Sequence, residues 1–169
     1  AGFILCNGGT TTVNVGANGG TAPYTGTGNF TVNAGTFNYT VTDANGCTAT
    51  TSVTVTEPSL LTASSSAGTI LCNGGSTTVN VSGNGGTSPY SGTGNFTENA
   101  GTFNYNISDA NGCTATTSVT ITEPTLLTVS SSAGSILCNG GTTTVNVGGN
   151  GGTTPYSGTG NFTAKTEST

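Results

Sequence analysis

The stretch Ile4-Leu5-Cys6-Asn7-Gly8-Gly9-Thr10-Thr11-Thr12-Val13-Asn14-Val15 returns almost unchanged as Ile70 to Val81 and again as Ile136 to Val147. Cys6, Cys72 and Cys138 stand at the same place in each copy, at equal intervals along the chain. So regular a recurrence constrains the fold more than any single motif, because each unit must either bury its own core or share one with its neighbour. A period of about 66 residues is too long for one coil of a solenoid and near the lower limit for an independent domain, so the chain reads as beads on a string. Glu57-Pro58 and Glu123-Pro124 mark the boundaries. They leave a repeat at 1–57 that lacks its first strand, a complete repeat at 58–123 and a partial third at 124–169.

Within a repeat the local pattern is that of short strands. Thr10 to Val15 alternates polar residues with Val13 and Val15, the period of a half-buried strand. Gly35 to Thr42 places Phe37, Tyr39 and Val41 on one face and Asn38, Thr40 and Thr42 on the other. Asp43-Ala44-Asn45-Gly46 then supplies a tight Asn-Gly hairpin turn, and the strand from Cys47 to Thr56 returns with Val53 and Val55 inward. Ser59 to Ala63 opens the next repeat after Pro58, which belongs at a strand start. Six or seven such strands in each period predict an all-β fold of tandem immunoglobulin-like antiparallel β-sandwich repeats, strung as beads along the chain.

Composition narrows the function classes. Only 4% of residues are charged, and Asp43, Glu57, Glu98, Asp109, Glu123 and Glu167 face the single base Lys165. No basic patch exists to neutralise nucleic-acid phosphates or anionic lipid, and no apolar run approaches the ~20 residues that span a bilayer. Catalysis is expected to be absent. With no His, and neither a nucleophile-base pair nor a close pair of acids in a unit, no hydrolytic site assembles. No cofactor is expected. Asp43 to Gly46 and Asp109 to Gly112 resemble the start of a calcium loop, but no terminal Glu follows, and turn chemistry accounts for them.

Cys47 follows Cys6 at the same interval at which Cys113 follows Cys72. That spacing predicts one disulfide inside each repeat, with Cys138 left unpaired, and an oxidising, extracellular compartment. Asn29, Asn95 and Asn161 head acceptor triplets for N-linked glycan at the repeat period, and Asn38, Asn80 and Asn106 head further ones. O-linked glycan on the outward Thr and Ser faces is the stronger expectation, since an almost uncharged surface needs another source of hydration. Tyr24, Tyr90 and Tyr156 beside proline offer a candidate surface for stacking a polysaccharide, against a role as core plugs.

Cys72 to Gly75, Gly85 to Tyr90, Ala100 to Tyr105, Asp109 to Thr116 and Thr122 to Pro124, with their counterparts one period earlier, form an ordered set. That set resembles the SprB-type repeat of giant surface adhesins in gliding Bacteroidota. The resemblance implies an immunoglobulin-like bead in a long secreted filament or adhesin, exported by the type IX route, without enzymatic activity. Two functions are expected: a structural fibre that polymerises or associates laterally with itself, or a surface that binds polysaccharide or ice. The ice-binding alternative rests on Thr-x-Thr runs such as Thr40-Val41-Thr42, Thr54-Val55-Thr56 and Thr120-Ile121-Thr122.

Overall fold

A computed structural model describes residues 2–165. The chain is all-β, with no helix among those residues and several small antiparallel sheets, as a β-sandwich requires. The strands are β1 (Thr11–Val15), β2 (Gly28–Val32), β3 (Gly35–Thr42), β4 (Thr48–Val55), β5 (Thr62–Ala67), β6 (Thr77–Asn84), β7 (Gly94–Glu98), β8 (Gly101–Ser108), β9 (Thr114–Ile121), β10 (Thr128–Ala133), β11 (Thr142–Asn150) and β12 (Gly160–Lys165). Sheets form as β1-β2, β3-β4, β5-β6-β7, β8-β9 and β10-β11-β12.

Two compact units divide the chain. The first holds residues up to Ser65 with Val81–Gly94 and Asn104–Ser118; the second holds Ser66–Asn80, Asn95–Phe103 and the chain from Val119 on. In the first unit Ile4, Val13, Val15, Val41 and Val55 form a buried cluster, flanked by Tyr24, Phe30, Val32, Ala34, Tyr39 and Val53. The Phe30 and Tyr39 rings meet at 4.9 Å between centroids. The alternation expected for β3 is present: Phe37, Tyr39 and Val41 turn inward and Asn38 and Thr40 outward. Pairing in register sets Thr36 against Thr54, Asn38 against Ser52, Thr40 against Thr50 and Thr42 against Thr48. The outward face of this hairpin is therefore a double row of small polar side chains. In the second unit β10, β11 and β12 form one antiparallel sheet, with Thr128 opposite Asn150 and Thr142 opposite Lys165.

Candidate functional site

The β3-β4 and β8-β9 hairpins end in the same tip. Asp43 N–H donates to Cys47 O (2.9 Å) and Gly46 N–H to Asp43 O (3.0 Å), and Asp109, Gly112 and Cys113 repeat the pattern at 3.0 Å. Gly46 and Gly112 adopt φ of 84° and 82°, whereas no non-glycine residue has positive φ among the described residues. The tip is thus a turn closed by one left-handed glycine, not the two-residue Asn-Gly hairpin that the sequence suggests, which would need positive φ at Asn45 as well.

Asp43 and Asp109 organise the tips. The Asp43 carboxylate accepts from the N–H of Thr21 (3.0 Å), Asn45 (2.9 Å) and Cys47 (2.8 Å), and Asp109 accepts from Thr87, Asn111 and Cys113 at 2.9 Å each. The Thr21 N–H, then that of Cys47, holds the Asp43 carboxyl below the usual range, against a smaller upward push from burial. For Asp109 burial is the largest single influence and pushes upward, yet the N–H groups of Thr87, Cys113, Asn111 and Gly112 together hold it low. The oxygens that a calcium loop would present are engaged by backbone donors, and among the described residues no group of three or more His, Cys, Asp or Glu gathers.

The cysteines depart from the expected pairing. The disulfide joins Cys6 to Cys113, with 5.7 Å between Cα atoms, while Cys47, Cys72 and Cys138 are free and exposed. The expected Cys6–Cys47 and Cys72–Cys113 bonds are absent for a geometric reason. Glu57 caps the Cys6 loop, accepting from Gly8 N–H (2.6 Å) and the Asn7 amide (3.2 Å). Cys47 precedes the eight-residue strand β4 and Glu57 follows it, so about ten residues at ~3.3 Å each put Cys47 roughly 30 Å from the Cys6 loop. A disulfide needs Cα atoms within ~7 Å. Glu123 caps the Cys72 loop in the same way, through Gly74 N–H (2.6 Å) and the Asn73 amide (3.1 Å), and β9 separates it from Cys113. Cys113 instead meets Cys6, and the adjoining Asn111 amide donates to Leu5 O (3.0 Å). Spacing alone conceals this. The repeated Glu57 and Glu123, in a chain nearly empty of charge, are the available signal for where each cysteine loop docks.

Beside the Asp43 tip lies a cleft of about 330 Å³ lined by Gly16 to Gly20, Tyr24, Val41, Asp43 and residues 47–51. The same place in the second repeat is filled by the segment Ser59 to Ser65. There Gly86 N–H donates to Ser59 O (2.9 Å), Thr62 Oγ1 to Asn84 O (3.1 Å), and the Ser64 and Ser82 hydroxyls share a 2.8 Å hydrogen bond. The Ser65 hydroxyl meets that of Thr117 at 3.0 Å, and Leu61 is only 6% exposed. In the first repeat that place is the open cleft, with no strand alongside among the described residues.

The remaining candidates are placed as follows. Asn29, Asn38, Asn80, Asn95, Asn106 and Asn161 are all exposed. Asn29, Asn95 and Asn161 each accept from the amide of the Asn across the strand pair, namely Asn14 (2.7 Å), Asn80 (2.8 Å) and Asn146 (2.7 Å). Tyr24, Tyr90 and Tyr156 are half-buried and donate to Gly19, Gly85 and Gly151 O at 2.5, 2.6 and 2.5 Å, so each hydroxyl ties down its own loop. Neither a protein-family model nor a curated protein matches the chain.

Proposed function

We propose that the chain is a structural segment of an extracellular filament or adhesin stalk of the SprB-like, immunoglobulin-like kind, without enzymatic activity. The observation that carries this reading is the Cys6–Cys113 bond, whose sequence separation of 107 exceeds the interval from Cys6 to Cys72 at which the sequence repeats. A staple longer than the repeat ties one repeat to the next and resists extension along the chain, which a stalk under load requires and a freely jointed string of domains does not. A disulfide of this kind also belongs to an oxidising, extracellular compartment. The nearly uncharged surface and the exposed Thr, Ser and Asn side chains favour a glycan coat. Native material imaged by electron microscopy is expected to show fibres. Its intact mass is expected to exceed the 16.3 kDa of the bare segment by the mass of attached sugar. Globular particles of unmodified mass would count against the reading.

A second reading rests on the double row of Thr36, Asn38, Thr40 and Thr42 against Thr54, Ser52, Thr50 and Thr48. Such a row is a candidate surface for ordered water or polysaccharide. A thermal-hysteresis measurement separates ice binding from a plain stalk, which gives none.

A further inference from the structure

We propose that the Cys6–Cys113 disulfide is a redox-operated lock on the joint between the first and second repeats. Closed, it fixes the angle between them; opened by a thiol reductant, it leaves them swinging on the Pro58-Ser59 linkage with both cores intact. This deepens the filament reading by naming what regulates its stiffness, and rests on that reading only for the fibre in which stiffness matters.

The two halves of the lock are built separately, each by a carboxylate of its own repeat. On the first repeat Glu57 accepts from Gly8 N–H (2.6 Å) and the Asn7 amide (3.2 Å), and Gly9 N–H closes the loop on Cys6 O (3.0 Å). On the second, Asp109 accepts from the N–H groups of Thr87, Asn111 and Cys113 at 2.9 Å each, and Gly112 N–H closes the tip on Asp109 O (3.0 Å). Glu123 and Asp43 make the same bonds one period away, at 2.6 Å to Gly74 N–H and 2.8 Å to Cys47 N–H. Hydrogen bonds from a backbone N–H to a carboxylate are among the stronger ones. The shape of each half is thus set by bonds that do not pass through the disulfide, and breaking the sulfur bond leaves both halves in place, ready to close again.

The joint itself has two attachments, and the first is the chain. The Asn7 amide also donates to Pro58 O (3.1 Å), while Gly86 N–H donates to Ser59 O (2.9 Å). The first repeat therefore grips the chain up to Pro58 and the second from Ser59 on. Leu60 O then passes so close to Gly85 that a Cβ there would collide with it, and Leu61 is buried. With the peptide bond planar, the pivot reduces to two backbone torsions, ψ of Pro58 and φ of Ser59. The second attachment is the disulfide, with the Asn111 amide on Leu5 O (3.0 Å) beside it. A body held at one pivot rotates about it, and a second covalent attachment away from the pivot removes that rotation. The exposed amide bond is a weak substitute, since water competes for both its partners. Every group of this joint lies within the first compact unit.

The sulfurs are within reach. Cys6 and Cys113 are half-buried, and both line a cavity of about 270 Å³ with Leu60, Leu61 and Gly112. Leu60 in that lining and Leu5 beside Cys6 are 63% and 57% exposed, so the rim is open and apolar and admits a small thiolate. That thiolate attacks the Cys113 sulfur, forms a mixed disulfide there and expels Cys6 as a thiolate. The Asp109 carboxylate, bonded to Cys113 N–H, makes Cys113 the poorer place to leave a negative charge. A second reductant thiolate attacks the reductant sulfur of the mixed disulfide and expels Cys113. Both protein thiolates take up protons, so the protein gains two electrons and two protons, and two reductant thiols become one disulfide.

The test uses the full chain with donor and acceptor dyes at Asn38 and Thr116, exposed positions on β3 and β9, attached through azide-bearing residues so that no cysteine is consumed. Single-molecule energy transfer is read beside circular dichroism and alkylation mapping, without denaturant, in glutathione buffers of graded ratio. With the bond closed, a narrow distribution of distances is expected. As Cys6 and Cys113 become open to alkylation the distribution should broaden with the β-sheet signal unchanged, and oxidised glutathione should narrow it again. Cys6→Ser/Cys113→Ser should give the broad distribution in every buffer, and Asn111→Ala should leave the narrow one untouched while the bond is closed. A distribution that stays narrow after both cysteines alkylate overturns the proposal, because the linkage then holds the angle unaided. Loss of the β-sheet signal on reduction overturns it too, because the bond then holds a core rather than a joint. Native fibres from a chain whose distance distribution ignores reduction would sink this proposal and spare the filament reading; a redox-sensitive joint in material that forms no fibres would do the reverse.

Discussion

Two stretches of nearly the same sequence, the groove of the first repeat and that of the second, differ in what lies against them: the second holds a strand and has Cys113 bonded to Cys6, and the first has neither a strand alongside nor a partner for Cys47 among the described residues. The consequences run through the neighbouring side chains. Ile107 and Asp109 are 0% and 7% exposed, while Val41 is 9% exposed and Asp43 is only half-buried. Along β9 Ala115 and Thr117 are half-buried, but along β4 Ala49 and Thr51 are open to solvent. Burial in this fold is therefore decided less by the residue than by whether its neighbour strand has arrived.

The strongest way to break the comparison is to cut the bond that ties the two repeats together. Closing a loop across a separation of 107 is worth up to about 4.7 kcal/mol in the chain-entropy picture. A Cys6→Ser/Cys113→Ser double variant is expected to lose about 3–5 kcal/mol in urea unfolding. Cys47→Ser in the single chain should shift stability by less than about 0.5 kcal/mol. Next in size is the core beneath the filled groove. Ile107→Ala should cost about 2–5 kcal/mol, because a fully buried side chain leaves a cavity. Val41→Ala should cost clearly less, since water in the open cleft already reaches that side of the core.

Much of this was legible in the residues. The alternation of Phe37, Tyr39 and Val41 fixed which face of β3 turns inward, whereas the opening strand expected over Ser59 to Ala63 starts later, at Thr62, and runs to Ala67. What could not be read was long-range placement. Equal spacing of Cys6 to Cys47 and of Cys72 to Cys113 looks like a staple within each repeat, yet an extended strand puts those ends about 30 Å apart. The turn at Asn45 was hidden because Asn-Gly suits more than one hairpin, and the Asp43 carboxylate, by gathering three N–H groups, selects the one with a single left-handed glycine. The groove was hidden because its glycines look like ordinary turn residues until Leu60 is seen passing over Gly85.

The two aspartates sharpen the contrast by pH. Each has a folded-state pKa below its unfolded value of 3.8. Such a carboxylate contributes stability that is fully present above the unfolded pKa and is lost as pH falls through the folded one. Thermal unfolding should therefore be insensitive to these groups well above pH 3.8 and should weaken as the pH drops below it. Asp109→Asn is expected to lower the melting midpoint at neutral pH and to flatten this acid limb. Asp43→Asn should do the same to a smaller degree, because the water that reaches the open cleft can replace part of what its carboxylate gives the N–H groups. Equal effects would mean that the seated strand adds nothing to the strength of the tip.

The smallest effect is the most discriminating. Thr117 Oγ1 meets Ser65 Oγ at 3.0 Å in a half-buried setting, whereas Thr51 lines the empty cleft and is exposed. Thr117→Val should cost about 0.5–1.5 kcal/mol, since it leaves the Ser65 hydroxyl away from water with its partner gone. Thr51→Val should be neutral in the single chain, because the hydroxyl it removes faces solvent. Measured by urea unfolding, the pair of substitutions separates a hydroxyl held by a neighbouring strand from one that faces solvent.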